Sequence, residues 1–103
     1  MTQRKKDGQF MQHGAGEAAA LLRALGNEHR LLVLCLLLEH GEMTVGTLLQ
    51  HIELSQSALS QHLAKMREEG LVTYRREAQT LHYRVDDPSV TTLITTLQKI
   101  YCP

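Results

Sequence analysis

The sequence predicts a mainly α-helical domain with one small β-hairpin near its carboxyl end. Apolar residues recur at helical spacing over most of the chain, and the spacing changes to strict alternation only between residues 72 and 85. Capping residues and glycines separate the periodic segments. With 103 residues, of which 43% are hydrophobic, the chain is long enough for one domain with a modest core.

The amino-terminal residues 1–15 are predicted to form a flexible arm, and residues 16–103 are predicted to form the folded domain. The arm has no apolar period, and no apolar run or cleavage site of a secretory signal follows its basic cluster, Arg4 to Lys6. The longest apolar run, residues 31–38, has eight residues, against the roughly 20 needed to span a bilayer. We therefore expect a cytoplasmic protein that does not bind membranes.

Two helices are predicted to come first. The first begins near Glu17 and ends at Gly26. Asn27 is suited to cap the second helix, which continues through the leucine-rich residues 31–38 to Gly41. Leucine dominates this run where a strand would favour valine and isoleucine, so a helix that is buried on most sides is preferred over a buried strand.

A short helix after Thr44 and a longer helix after Ser55 are predicted to share a tight turn. The longer helix has Leu59, Leu63 and Met66 at positions i, i+4 and i+7, which defines an inward face. Another face of the same helix is polar and contains Gln56, Ser57, Ser60, Gln61 and Lys65.

The alternation between residues 72 and 85 predicts a hairpin with its tip near residues 78–80. Pro88 suits the first turn of a final helix with one apolar stripe. The stripe consists of Val90, Leu93, Ile94, Leu97, Ile100 and Tyr101. The resulting order, α-α-α-α-β-β-α, is that of a winged helix-turn-helix, in which the second helix of the pair enters the DNA major groove.

The residue types on the polar face suit DNA recognition. Glutamine can hydrogen-bond adenine through two atoms, serine can donate or accept, and the first helical turn offers backbone amides to a phosphate. The 11 basic and 11 acidic residues argue against purely electrostatic binding, whereas residues 55–85 contain five basic and three acidic residues, a mild local positive excess. A polar face alone is more often plain solvated surface, but the order of elements favours DNA.

Three segments also support a family assignment: LSQSALSQHLAKMREEGLV at residues 54–72, ALGNEHR before it at residues 24–30, and RREAQTLHY after it at residues 75–83. The chain resembles the ArsR/SmtB family of bacterial transcriptional regulators over nearly everything after Gly16. Cys35 in the second helix and the terminal IYCP at residues 100–103 resemble the branch of HlyU, YgaV and BigR/SqrR, whose members respond to redox conditions or sulfide.

The resemblance implies a homodimer that is joined through its first and last helices and reads a palindromic operator in double-stranded DNA. The apolar stripes on those two helices favour a dimer independently, the alternative being that both stripes fold back onto one core. The DNA-binding candidates on the recognition helix are Gln56, Ser57, Ser60, Gln61, His62 and Lys65. Of these, His62 could touch either a phosphate or a base. The candidates for phosphate contacts on the wing are Arg75, Arg76 and Arg84.

No metal site and no other cofactor are expected. Arsenic and cadmium sensors of the family have a cysteine motif on the helix that corresponds to the predicted short helix of this chain. Here the corresponding residues 44–48 are TVGTL and contain no thiol. Of the Asp and His ligands that zinc and cobalt sensors use on the last helix, only Asp87 is present, with Ser89 where a histidine would be expected. Such an incomplete set does not close a tetrahedral site.

Cys35 and Cys102 are the sensor candidates. A disulfide or polysulfide bridge between them would change the placement of the second helix against the last. The family resemblance favours this pairing, whereas on their own Cys35 is readily explained as a small buried hydrophobe and Cys102 as a tail thiol. The hypothesis is a repressor that loses DNA affinity when this pair is oxidised or persulfidated.

Other functions stay open. The chain could be a DNA-binding regulator or anti-silencer without thiol sensing, or a regulator that senses another ligand such as a metal or haem. A winged helix that binds protein would need an apolar outer face at residues 56–65, where the sequence is polar. An enzyme is not expected, because the chain lacks a C-x-x-C motif and a nucleotide-binding loop.

Overall fold

A computed structural model describes residues 10–102 of the chain. A π-helical segment, Phe10–Gly14, leads into helix α1, Ala15–Leu25. The remaining elements are α2 (Glu28–His40), β1 (Met43–Thr44), α3 (Val45–Leu49), α4 (Gln56–Glu68), β2 (Val72–Glu77), β3 (Thr80–Val85) and α5 (Pro88–Tyr101). This order confirms the predicted mainly α-helical fold, in which α3 and α4 form the helix-turn-helix and β2 and β3 form the wing.

Side chains that cap the helices set where they begin. Asn27, Thr44 and Ser55 each accept a hydrogen bond from the backbone N–H three residues later, at 3.0–3.1 Å. Asp87 caps α5 and accepts from the N–H two residues later at 2.9 Å. Gly41 ends α2 with a φ of +83°, a conformation that glycine adopts without strain. The predicted helix boundaries at Asn27, Thr44 and Ser55 are confirmed.

The helical structure at the amino end begins earlier than predicted. Helix α1 starts at Ala15 and the π-helical segment at Phe10, whereas the sequence placed the helix start at Glu17 after an arm over residues 1–15. The alanine-rich sequence that follows Gly16 is strongly helix-forming, and one helical glycine costs only about 1 kcal/mol relative to alanine. The rest of the predicted arm, residues 1–9, lies outside the described residues.

Strand β1 is not predicted from the sequence. Its two residues pair antiparallel with β3, with Met43 opposite Tyr83, so that the sheet has three strands in the order β1-β3-β2. The predicted hairpin is present, and β2 and β3 are joined by the two-residue turn of Ala78 and Gln79. Ala78 has a φ of +57°, which is uncommon for a residue other than glycine.

The core lies where α2, α4 and α5 meet the sheet. Its fully buried members include Val33, Leu34, Leu37, Leu48, Leu59, Leu63, Met66, Val72, Val90 and Ile94. Helix α2 is less buried than predicted, because Leu32 is 46% exposed and several of the other leucines in the run are only partly buried. Among the described residues, none of the helices has the length and apolar content required to cross a membrane.

Candidate nucleic-acid interface

Helix α4 separates an apolar face from a polar one. Leu59, Leu63 and Met66 are completely buried against the core. The predicted polar residues are all exposed, namely Gln56, Ser57, Ser60, Gln61 and Lys65. The first turn contains no acidic side chain, so the free backbone amides at this helix end remain favourable for an anion. This face thus presents amide and hydroxyl groups of the kind that read base edges, next to a site suited to phosphate.

The three wing arginines differ in their surroundings. Arg76 and Arg84 are exposed, and neither forms an ion pair within the part of the chain that the structure describes. Arg75 is also exposed, but its Nε lies 3.0 Å from Glu42 and its Nη1 lies 2.9 Å from Glu77. The hydrogen bond from Arg75 holds the pKa of the Glu77 carboxyl below its usual value. Arg75 therefore links the wing to the residue before β1.

A contact between α4 and the wing is not predicted from the sequence. The guanidinium carbon of Arg67 lies 4.5 Å from the ring centroid of Tyr74, a cation–π geometry. Tyr74 packs edge-on against Tyr83 with ring centroids 5.4 Å apart, and burial raises the pKa of the Tyr83 hydroxyl. Tyr74 and Tyr83 lie opposite each other in the register of the hairpin, whereas the sequence pattern did not indicate the contact with Arg67. This contact joins the wing to the last turn of α4.

His62 lies apart from the polar face of α4. Its side chain is partly buried, and its Nδ1 accepts a hydrogen bond from Arg30 Nε at 3.4 Å. Burial lowers the pKa of His62, and the neighbouring charges of Arg30 and His29 lower it further. Within the protein, Arg30 thus competes with DNA for the side chain of His62, which was predicted to contact a phosphate or a base.

Cys35 lies on α2 and Cys102 directly follows α5, and these two helices contact each other. Cys35 is half-buried on α2, and Cys102 is exposed at the end of α5, where its N–H donates to the carbonyl of Gln98 at 2.7 Å. Burial raises the pKa of the Cys35 thiol, a hydrogen bond from the Gln98 side chain lowers it, and the charges of Cys102 and Glu39 raise it again. Both cysteines are free thiols.

Histidines approach each other in two pairs. The rings of His40 and His51 stack with centroids 5.8 Å apart, and those of His29 and His62 lie 6.2 Å apart. Over residues 10–102, however, no three His, Cys, Asp or Glu side chains are grouped so that they could hold a metal ion. A pair supplies only half of the ligands of a structural zinc site.

Comparison with known proteins gives consistent matches. Residues 27–74 match the family described as "Bacterial regulatory protein, arsR family". The HTH-type transcriptional regulator YgaV of Escherichia coli is 44% identical over 93 residues, which cover 90% of this chain and 94% of YgaV. The transcriptional activator HlyU of Vibrio cholerae is 48% identical over 94 residues, covering 91% of this chain and 86% of HlyU.

Solved structures agree with these matches. Reduced HlyU from Vibrio cholerae superposes with a TM-score of 0.85 at 47% identity, over 92% of this chain and 99% of that one. The transcriptional repressor BigR from Xylella fastidiosa superposes with a TM-score of 0.83 at 36% identity, over 100% of this chain and 99% of that one. The similarity thus includes the helix-turn-helix, the wing and both flanking helices.

Proposed function

Because the chain belongs to the ArsR family of DNA-binding bacterial transcriptional regulators, we propose that two copies of it read a palindromic operator through their α4 helices. The proposal extends to control: a bridge between Cys35 and Cys102 lowers DNA affinity and relieves repression. The observation that supports DNA reading best is the exposed polar face of α4 above three completely buried apolar side chains. No enzymatic activity is part of the proposal.

The recognition surface divides into residues for bases and residues for phosphates. Gln56 and Gln61 have long, exposed amides that can donate and accept on one base, and Ser57 and Ser60 lie between them on the helix. Lys65, Arg76 and Arg84 are exposed cations suited to phosphates. Arg75 is assigned to holding the wing, because two carboxylates already occupy its guanidinium.

Replacing Gln56 or Gln61 by alanine is expected to weaken discrimination between DNA sequences. Each lost bidentate contact should reduce discrimination against the wrong base by about 1–3 kcal/mol. The matched control is Arg84→Ala, which should weaken binding to all sequences alike and reduce the slope of affinity against salt by about one unit. Affinity for selected and scrambled duplexes at several salt concentrations measures both. If the glutamine variants lost affinity uniformly, the assignment of these residues to base reading would be wrong.

The proposed thiol reaction needs one sulfur donor and both cysteines. One thiolate attacks a sulfane sulfur of an inorganic polysulfide, the S–S bond breaks, and a shorter polysulfide leaves the new persulfide. The second thiolate attacks the inner sulfur of this persulfide, which is the Sγ atom of the first cysteine; the persulfide S–S bond breaks, the disulfide forms and the outer sulfur leaves as HS⁻. The contact between α2, which contains Cys35, and α5, which Cys102 follows, supports this second step.

A bridge would act on the packing of α2 against α5. Cys35 lies within α2, whose Val33, Leu34 and Leu37 are buried in the core, whereas Cys102 follows the last turn of α5. A covalent link restrains the sulfur atoms to about 2.05 Å, far closer than two unbonded thiols. Because α2 and α5 both contact the sheet and the core under α4, a shift of either helix changes the support of the recognition helix.

Cys35→Ser and Cys102→Ser are each expected to abolish release from DNA by polysulfide while leaving DNA binding of the reduced protein intact. Intact-mass measurement after anaerobic polysulfide treatment should show the bridge in the unmodified protein alone. Operator binding is measured on the same samples. Release from DNA that persisted in either serine variant would contradict a role for the pair, while leaving DNA reading by α4 in place.

A further inference from the structure

We propose that Arg30 and His62 are positioning residues for DNA binding: together they hold the recognition helix α4 at its angle to α1 and α2, and they do so only while His62 is neutral. This inference rests on the proposed reading of DNA by α4. It gives His62 a role inside the protein and not at the DNA.

The guanidinium of Arg30 reaches three places in the fold. Its Nη1 donates to the carbonyl of Ala24 at the end of α1 at 3.1 Å, and its Nε donates to His62 in α4 at 3.4 Å. The same Nη1 lies 3.7 Å from a carboxylate oxygen of Glu69, the C-cap residue that directly follows α4. The Arg30 side chain is only 17% exposed, so these contacts are shielded from competing water.

Arginine suits this position because its planar guanidinium presents five donors in fixed directions. Lysine has a single ammonium group and could not donate to three segments that diverge. Through Arg30, the middle of α4 at His62 and the end of α4 at Glu69 are connected to the rest of the domain. The buried apolar face fixes the depth of α4, whereas these polar contacts fix how it is rotated and tilted.

The bond to His62 requires a particular protonation state. Its Nδ1 can accept from Arg30 only with a free lone pair, so the ring is neutral with its proton on Nε2. A protonated ring has no acceptor and would place a second positive charge beside the guanidinium. Protonation therefore breaks the contact and repels α4 from α2.

The groups around His62 do not compensate for such a charge. Arg30 and His29 face it from α2, and Lys65 lies one turn further along α4. Glu69 is engaged with Arg30. Helix α3, which packs against α4, has no ionisable residue, and on β2 the side chains of Arg75 and Glu77 pair with each other.

The protonation of His62 sets the direction in which pH changes DNA affinity. The folded protein holds the pKa of His62 below its usual value, so the neutral ring predominates at neutral pH and above. As pH falls through that lowered pKa, His62 takes up a proton, the bond to Arg30 is lost, and DNA affinity falls. A His62 that touched a phosphate would give the opposite sign, because its protonation would strengthen binding.

The test compares the pH profile of DNA binding between variants. The probe is a duplex that the unmodified protein selects from a random DNA library at about pH 8, and affinity is measured down to about pH 5.5, the range in which histidine titrates. His62→Gln retains an acceptor but cannot take up a proton, and His51→Gln is the matched control at an exposed histidine. The unmodified protein and His51→Gln should lose roughly five- to tenfold more affinity on acidification than His62→Gln, the equivalent of about one net hydrogen bond.

Two results would overturn the inference. One is a pH profile of DNA binding by His62→Gln that matches that of the unmodified protein. The other is a loss of DNA affinity on acidification that is larger for His62→Gln than for the unmodified protein. NMR titration of the His62 ring in the unmodified protein provides a measurement that needs no variant. It should show a pKa below the usual value of a histidine, together with shifts of the amide signals of residues 56–69. A normal pKa, or a titration that leaves α4 unperturbed, would also contradict the role.

Conservative replacement at Arg30 separates positioning from general stability. Arg30→Lys keeps the charge but should lower DNA affinity at pH 8. It should also remove most of the pH dependence that His62 confers on DNA binding, while the midpoint of thermal unfolding changes little. If Arg30→Lys bound DNA with the unmodified pH profile, the guanidinium would not be the partner of His62. If the unmodified protein selected no duplex at all, the proposed function would fail, whereas the NMR titration would still decide the contact between Arg30 and His62.

Discussion

Replacing Leu63 by alanine is expected to lower the free energy of unfolding by about 2–5 kcal/mol. Leu63 is completely buried and lies between Leu59 and Met66 on the inner face of α4. The substitution removes apolar surface from the core and leaves a cavity that neighbouring helices and the sheet can fill only in part. Urea unfolding followed by circular dichroism measures the change, at equal protein concentrations because the proposed dimerisation would add to stability.

The control is Ser60→Ala, one turn earlier on the exposed face of the same helix. Its unfolding free energy should stay within about 0.5 kcal/mol of the unmodified value, as for other surface substitutions. A loss below about 1 kcal/mol for Leu63→Ala would mean that the site collapses around the smaller side chain, and that α4 is not anchored at this point. Together the two variants separate the packing face of α4 from its recognition face.

The helix boundaries could be predicted because they depend on neighbours in sequence. Asn27, Thr44 and Ser55 each cap a helix through a bond to a residue only three positions later. The same short range applies to the inward face of α4, since Leu59, Leu63 and Met66 follow from helical periodicity alone. The exposed set of Gln56, Ser57, Ser60, Gln61 and Lys65 is the complement of that face, and it was predicted for the same reason.

Strand β1 could not be predicted in this way. It has two residues, too few for an alternating pattern, and it exists only because β3 lies beside it. Met43 and its partner Tyr83 are separated by 40 positions in the chain. Pairing over such a distance depends on the tertiary fold and leaves no local signal in the sequence.

The same limit applies to individual charges at the candidate interface. Residue type made Arg75, Arg76 and Arg84 equal candidates for phosphate contacts, but only the fold places Glu42 beside Arg75, 33 positions away. His62 likewise finds Arg30 at a separation of 32 positions. Sequence periodicity thus identifies which face of an element is polar, whereas the roles of single residues on that face depend on partners from elsewhere in the chain.

Replacing Ile100 by glutamate is expected to dissociate the proposed dimer and to lower operator affinity by about 100-fold or more. Ile100 on α5 is 61% exposed in the single chain, and Leu22 on α1 is 60% exposed. Large apolar side chains exposed on the first and last helices are typical of surfaces that a partner covers, and a second copy is the proposed partner. A monomer would contact one half of a palindromic operator and lose the gain of about 10²–10⁴ that linked binding provides.

Thr95→Glu introduces the same charge on the same helix and is the matched control. Thr95 is exposed and lies five residues before Ile100, which places the two side chains about 140° apart around the helix axis. Sedimentation equilibrium should show a monomer for Ile100→Glu and a dimer for Thr95→Glu, with only the former losing DNA affinity. A dimer that survived Ile100→Glu would move the interface away from α5. A monomer that still bound the full operator as tightly as the unmodified protein would show that each α4 helix reads DNA alone.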